Sequence, residues 1–465
     1  MTGTMTEPTT GKAAKKAPQP APARHRWVRQ WLIAKGDALC RLVGATLADV
    51  DRFEQAHHLR VRARRPADRK SREDLVHALV VNLAYASLSP PPRTGRLAVG
   101  AGNPSKGAGR YNNPAFGKGL RPLLNQMHKM GLLDFRLPVA IRGEVSSIAP
   151  TAEFASRVRG LGITLGDFAR DEREDVLVLT RQGGARAARI TDRINLRETA
   201  QTEALRDAVR RVNVFLASAD IAFIDDGLSP HVDPHDRLLK RRFVLPLGEY
   251  AERFDLGGRL FGGFWTNLAS SRRGSIRIEG EPIADLDYSS MFARLAYARV
   301  GAVPPSDDLY AIPGLEAYRS GVKLAFNIFL FDSKRARRKW PKDEMGIGVG
   351  TDADAKASPN SEAARFEGLL PAGWESTKRL RTAILDKHPA LGKAFGRRLG
   401  YGLMFAESCV LMAVLEELMQ RGIVALPLHD GLLCGQSRKE EAAEVMRSKA
   451  IEVTGAAIPV EEKLG

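Results

Sequence analysis

From His25 to about Leu165 apolar positions recur mainly at helical spacing; beyond that, short apolar runs alternate with glycine-rich turns. Leu75, Val76, Leu79, Val80 and Leu83 share one helical stripe, with Ser71 and Asp74 as a capping-box-like start and SPPPRTGR (89–96) as its end. A second helix is expected from near Pro122, carrying Leu123, Leu124, Met127 and Met130 and stopping at Gly131. LLDFRLPVAIRGEV then reads as strand and turn. Helix, glycine stop, strand and turn is the order of winged-helix DNA-binding units, and also of many other small α+β units.

Further on, DVLVLT (175–180) reads as a strand, 195–217 as a long helix, and 241–265 as strand mixed with glycine turns. SIRIEGEPIADLDYS (275–289) has the pattern of a hairpin turning at Glu279–Pro282, with Ile283, Asp285 and Asp287 on one face of its second strand. Ser289 is placed to cap a helix over Ser290–Val300, closed by Gly301. Asp287 therefore sits where a strand gives way to a helix, a position where side chains commonly meet ligands.

Two later segments carry chemistry of their own. In YRSGVKLAFNIFLF, Arg319, Lys323, Asn327 and Phe331 recur every four residues, while Val322, Phe326 and Phe329 fall towards the other side. Two cations one turn apart suit a triphosphate, although such pairs are also common on solvated helices. In VALPLHDGLLCG, Asp-Gly between two apolar runs is a hairpin signal that needs no function. Both arms are too apolar for a solvated hairpin, so His429 and Asp430 at the tip are aimed at a cavity or site. The preceding helix, roughly 400–421, carries Glu407, which needs a partner or a wet cleft.

The charge balance changes the picture. With 71 Lys+Arg against 54 Asp+Glu the chain carries a net +17, which favours a polyanionic partner. No run approaches the ~20 apolar residues of a spanning helix, so nucleic acid is favoured over membrane. Cys40, Cys409 and Cys434 are far apart and form no CxxC pair, which fits a reducing, cytoplasmic setting. The expected organisation is a disordered basic tail (1–24), a mainly helical, winged-helix-like region (25–165) and a connecting α/β region (166–256). A mixed unit (257–465) follows, interrupted by a low-complexity insertion at 341–365. The GIGVG in that insertion lacks the Lys-Ser/Thr of a phosphate loop. The basic run HHLRVRARRPADRKSR (57–72) is a candidate phosphate contact.

In order, these pieces resemble the palm and fingers motifs of the family A DNA polymerases, over about 257–465. Asp287-Tyr288-Ser289 with Arg294 is similar to the family's DYS-x4-R, Arg319-x3-Lys323 to its R-x3-K, and His429-Asp430 to its HD hairpin. Asp308-Leu309-Tyr310 stands where an Asp-Ile-His is frequent. The resemblance implies an α+β fold, with a polymerase palm and fingers built on an antiparallel sheet. It implies a DNA-directed DNA polymerase in which Asp287 and Asp430, with Tyr288 beside them, hold two Mg²⁺ or Mn²⁺ ions. Arg319 and Lys323 would hold the triphosphate, Asn327, Phe331 and Phe292 would line the nucleotide site, and His429 would lie near the primer end. The implied partners are DNA primer-template and nucleoside triphosphates.

The sequence also departs from the family. Gly431 follows His-Asp where Glu is usual, Asn327 replaces an aromatic residue, and Phe331 stands at a Tyr position. Phe292 replaces the Glu that screens the ribose 2′-hydroxyl, and its bulk favours deoxynucleotides. The short interval between the two aspartates implies reduced fingers, and no paired carboxylate motifs of a proofreading exonuclease are found. A compact polymerase of a replicon, phage or mobile element fits these features. An RNA polymerase or primase on the same palm, or a non-catalytic DNA-binding replication protein, is the alternative.

Overall fold

The computed structural model describes residues 25–60, 62–91, 94–101, 109–138, 145–182, 192–246, 248–334, 340, 368–374 and 376–463. The expected tail at 1–24 and the insertion at 341–365 lie outside them. The chain is a mixed α+β structure with two large apolar cores, one drawn from Val28–Phe168 and one from Val176–Ile458.

The first core is wrapped by β1 (Arg26–Trp27), β2 (Leu32–Ala34), α1 (Asp37–Ala56), α2 (Pro66–Leu88), β3 (Leu97–Ala98), α3 (Leu120–Lys129), β4 (Leu133–Arg136), β5 (Ser147–Pro150) and α4 (Ala152–Gly160), and closed by β6 (Phe168–Arg170). Its sheet runs β1-β3-β5-β4, with β2 and β6 paired separately. Helix α2 is buried on every side over its second half, which explains its continuous apolar run. It starts earlier than its apolar stripe suggests. Pro66 occupies the first turn, and Ser71 and Asp74 lie inside the helix, where Asp74 bridges Lys70 at 2.8 Å rather than capping. Gly131 ends α3 at a φ of 72°, as its position foretold.

The second core begins with β7 (Leu177–Arg181), β8 (Asp192–Ile194), α5 (Ala200–Ser218), β9 (Ile221–Phe223), β10 (Leu239–Leu245) and β11 (Gly257–Gly262), followed by the short α6 (Ser270–Arg273). It continues through β12 (Ile276–Ile278), β13 (Glu281–Tyr288), α7 (Met291–Val300), α8 (Arg319–Phe331), α9 (Thr377–Lys387) and α10 (Gly400–Gln420). It ends with β14 (Ala425–Leu428), β15 (Gly431–Gly435), α11 (Lys439–Thr454) and β16 (Val460–Glu462). One sheet has the order β11-β10-β7-β8, so hydrogen bonding runs across the boundary expected at 257. The other has the order β14-β15-β13-β12-β9, with β16 added to β13.

Helix α7 does not use Ser289 as its cap. Ser290 takes that position in a left-handed conformation, φ 53°, without a side-chain capping bond, and the Ser289 amide donates to the Pro459 carbonyl at 2.8 Å. The sheet claims the Ser289 backbone, so the helix starts one residue later.

Candidate active site

Strand β13 alternates as its sequence demands. Ala284, Leu286 and Tyr288 face the core, while Ile283, Asp285 and Asp287 stay partly open. Its neighbour β15 is buried throughout and places Gly431 opposite Asp287. The Tyr288 amide donates to the Asp430 carbonyl at 3.0 Å, so Asp287 at the end of β13 and Asp430 in the β14–β15 turn, 143 positions apart in sequence, stand side by side.

The glycine after His-Asp has a physical reason. A Cβ at Gly431 would lie 2.3 Å from the Leu286 carbonyl oxygen and 2.8 Å from Oδ1 of Asp287. Any side chain there would expel the Asp287 carboxylate from its position. His429, at φ 52°, makes the turn that presents Asp430.

Electrostatics marks the pair as a site. Burial and then the neighbouring Asp430 push the Asp287 carboxyl up to about 6, against the pull of Lys463 and Lys323. Lys463 Nζ lies 2.7 Å from Asp287 Oδ2, and the Lys463 amide is tied to the Asp285 carbonyl at 2.8 Å. Burial, followed by Arg259, pushes His429 down to about 4, so its ring is neutral at physiological pH. Its ring meets Phe261 edge-on, with centroids 5.7 Å apart.

Behind the carboxylates, Arg259 of β11 grips Glu407 of α10 with two bonds, Nε–Oε1 at 2.8 Å and Nη2–Oε2 at 2.7 Å. Glu407 is fully enclosed. Burial pushes its pKa up, Arg259 pulls it back, and Asp430 and Asp287 push it further up. The two-pronged contact with Arg259 offsets only part of that push. The close approach of α10 to β11 depends on Gly258, where a Cβ would lie 2.7 Å from Ser408 Oγ. Above the pair, the Arg259 guanidinium sits 5.4 Å from the Phe292 ring centroid, and Phe292 stacks on Phe331 at 6.0 Å.

Helix α8 presents its polar stripe as its spacing predicts: Arg319 and Lys323 are exposed, Asn327 is half-buried, and Val322, Phe326 and Phe329 are in the core. Asp308 aims Arg319 through bonds of 2.6 and 3.1 Å, and the Tyr310 ring lies 5.2 Å from the Arg319 guanidinium and 5.9 Å from Lys323 Nζ. Lys323 is close enough to act on the charge of Asp287.

Asp287, Asp430 and His429 thus adjoin one another, with Lys323 near enough for its charge to act on Asp287 and Arg319 one turn along. Phe292 is half-buried beside them. Two expected contributors point elsewhere. The Tyr288 hydroxyl donates to the Met446 carbonyl at 2.6 Å on the core side, because strand alternation turns it away from Asp287; only its main chain adjoins the site. Phe331 is buried against Tyr401 and backs Phe292 rather than facing the cleft. The Arg294 side chain donates to the Ser289 carbonyl at 3.2 Å and so braces the strand-to-helix turn.

Among the described residues, the buried side-chain polar atoms without a partner are four arginine Nε atoms and three others: Asp287 Oδ1, Asn327 Oδ1 and His429 Nδ1. Those three all belong to the polar positions singled out here. Buried polar groups are nearly always paired, so the unpaired atoms of Asp287 and His429, beside Asp430, make this the candidate site. Lys463 and Arg259 were not singled out in the sequence. Arg259 had a visible signal, an arginine flanked by glycines in LGGRLFGG; Lys463 had none.

No protein-family model and no curated protein matches this chain. Among solved structures it is similar to the POL domain of Pol1 from M. smegmatis in complex with DNA primer-template and dNTP. The TM-score is 0.30 at 10% identity, over 94% of this chain and 66% of that one. No described helix is long and apolar enough to cross a membrane.

Proposed function

We propose that the chain is a template-directed nucleotidyltransferase, a compact DNA polymerase, whose centre is the Asp287–Asp430 pair. The observation that carries this reading is the adjacency of Asp287 at the end of β13 and Asp430 in the β14–β15 turn, with Asp287 Oδ1 buried and unpaired. Two like charges ~4 Å apart repel by about 4 kcal/mol at an effective dielectric near 20, and a bound cation turns that repulsion into attraction. No group of three or more His, Cys, Asp and Glu among the described residues is arranged to hold a metal. A pair of carboxylates fits a hard divalent ion that takes its remaining ligands from substrate phosphates and water.

Divalent ions held by Asp287 and Asp430 would activate the primer hydroxyl and steady the triphosphate. The chain's own residues do the rest. Arg319, aimed by Asp308, and Lys323 bind the triphosphate. Neutral His429 offers its unpaired Nδ1 to the primer end. The Phe292 ring, held between Arg259 and Phe331, forms the wall on which the sugar rests. Helix α3 and the β4–β5 hairpin, with Arg121, Lys129 and Arg136 on them, are proposed to grip the duplex.

The test is primer extension with Mg²⁺ or Mn²⁺, dNTPs against rNTPs, for the wild type, Asp287→Asn and Asp430→Asn. Both variants are expected to keep DNA binding and lose extension. Extension surviving in either one rejects the assignment.

A further inference from the structure

Lys463 stands at the carboxylate pair without a place in the reaction described above. Its ammonium takes Oδ2 of Asp287 at 2.7 Å, while Oδ1 has no partner. The contact is built into the sheet, because β16 pairs with β13 over Leu286–Tyr288 and the Lys463 amide is bonded to Asp285. Strand pairing therefore delivers the side chain to this carboxylate. Lys439 is bonded to Glu462 at 2.9 Å, so it does not compete for Asp287. Asp430 and Asp285 also act on the Lys463 charge, so its ammonium sits in the field of three carboxylates.

A cation in that place has two opposed effects. It offsets the repulsion between Asp287 and Asp430, which would otherwise push the two strand ends apart. It also occupies an oxygen that a metal ligand must offer, and its charge repels an incoming divalent ion.

We propose that Lys463 is a positioning residue, a built-in counter-cation that holds Asp287 in place in the metal-free enzyme and must give up the carboxylate when a divalent ion binds. The inference rests on the metal-binding reading of Asp287 and Asp430. Its consequence is a sign opposite to that of the carboxylates: removing Lys463 tightens metal binding, whereas removing Asp287 abolishes it. Side-chain exposure of 52% at Lys463 leaves room for the ammonium to swing into water. The same exposure screens its charge and limits the effect to about tenfold in metal affinity.

The experiment titrates Mn²⁺ into the full chain at pH 8.0, where protons compete little for the carboxylates, and counts free Mn²⁺ by electron paramagnetic resonance. Wild type, K463M, K463R and D287N are compared without nucleotide or DNA, and each is melted with and without Mn²⁺. K463M is expected to bind Mn²⁺ about tenfold more tightly, to melt lower without metal, and to gain more from Mn²⁺ than the wild type does. K463R is expected to behave as the wild type. Equal or weaker Mn²⁺ binding by K463M, with D287N still losing the ion, overturns the role of Lys463 and leaves the metal site standing. Mn²⁺ bound equally by D287N and the wild type overturns both.

Discussion

Two groups of carboxylates in this molecule are buried among cations, and they end in opposite conditions. In the region linking the two cores, Asp175 takes Arg110 at 2.6 Å on one oxygen, and Arg206 at 3.2 Å and the Leu177 amide at 2.9 Å on the other. Asp236 is held by Arg29 at 2.6 Å and Arg170 at 3.2 Å, and the Tyr85 hydroxyl donates to Asp233. Burial opposes ionisation of Asp236, yet its two arginines outweigh it and hold the carboxyl below the usual range. At the β13–β15 edge, Asp287 has one oxygen on Lys463 and the other unpaired, and its carboxyl is pushed up instead. The first arrangement is finished by the chain itself. The second leaves an oxygen open, which the proposed divalent ions would take up. Satisfied carboxylates hold the fold together, and the unsatisfied one lies in the candidate site.

That contrast can be broken or sharpened by substitution. The largest effect is expected at Asp287 and Asp430. Changing either to Asn should lower primer extension on the order of a thousand-fold or more, with an unchanged circular dichroism spectrum. Asp175→Ala should do the reverse: a loss of about 3 kcal/mol in denaturant unfolding, because Arg110 and Arg206 keep only the half-exposed Glu198 between them, and near-normal extension at low temperature. If Asp175→Ala instead killed extension while sparing stability, the distinction between the two groups would collapse.

Smaller effects follow around the nucleotide. Arg319→Ala and Lys323→Ala should each raise KM for nucleotide about tenfold, seen in steady-state kinetics at fixed primer-template. Phe292→Ala should relax the dNTP-to-rNTP preference by a few-fold, the scale of one sugar contact, and an unchanged ratio would remove Phe292 as the selector.

The smallest expected effect concerns pH. The folded-state pKa of Asp287, about 6, lies above its ordinary value of 3.8. Its protonated form is therefore favoured by folding, and that stability is fully present below about pH 4 and lost as pH rises through 6. Metal-free melting curves should show this loss between pH 4 and 7, on the order of 2 °C. Asp287→Asn should remove that part of the slope, and Mg²⁺ should oppose it at pH 7. A slope unchanged in Asp287→Asn would assign it to another group.

Much was legible in the residues because it depends on local physics. The four-residue spacing in α8 foretold which side of the helix is polar, since helical geometry alone sets it. The Asp-Gly signal between apolar arms foretold the β14–β15 hairpin but placed its turn one residue late, since His429 and Asp430 make the turn and Gly431 already pairs in β15. Alternation along β13 separated Asp287 from the core positions. The same alternation turns the Tyr288 side chain into the core and leaves only its main chain beside the site.

What the tertiary structure decided is who meets whom. Glu407 was expected to need a partner, but that the partner is Arg259, 148 positions earlier, follows from β11 packing under α10. Lys463 had no local signature, since its place at Asp287 comes from strand pairing between β16 and β13. Local preference determines what each segment becomes and which way its side chains point. Contacts between segments far apart in sequence depend on the register of sheets and the fit of helices, which no short stretch of residues contains.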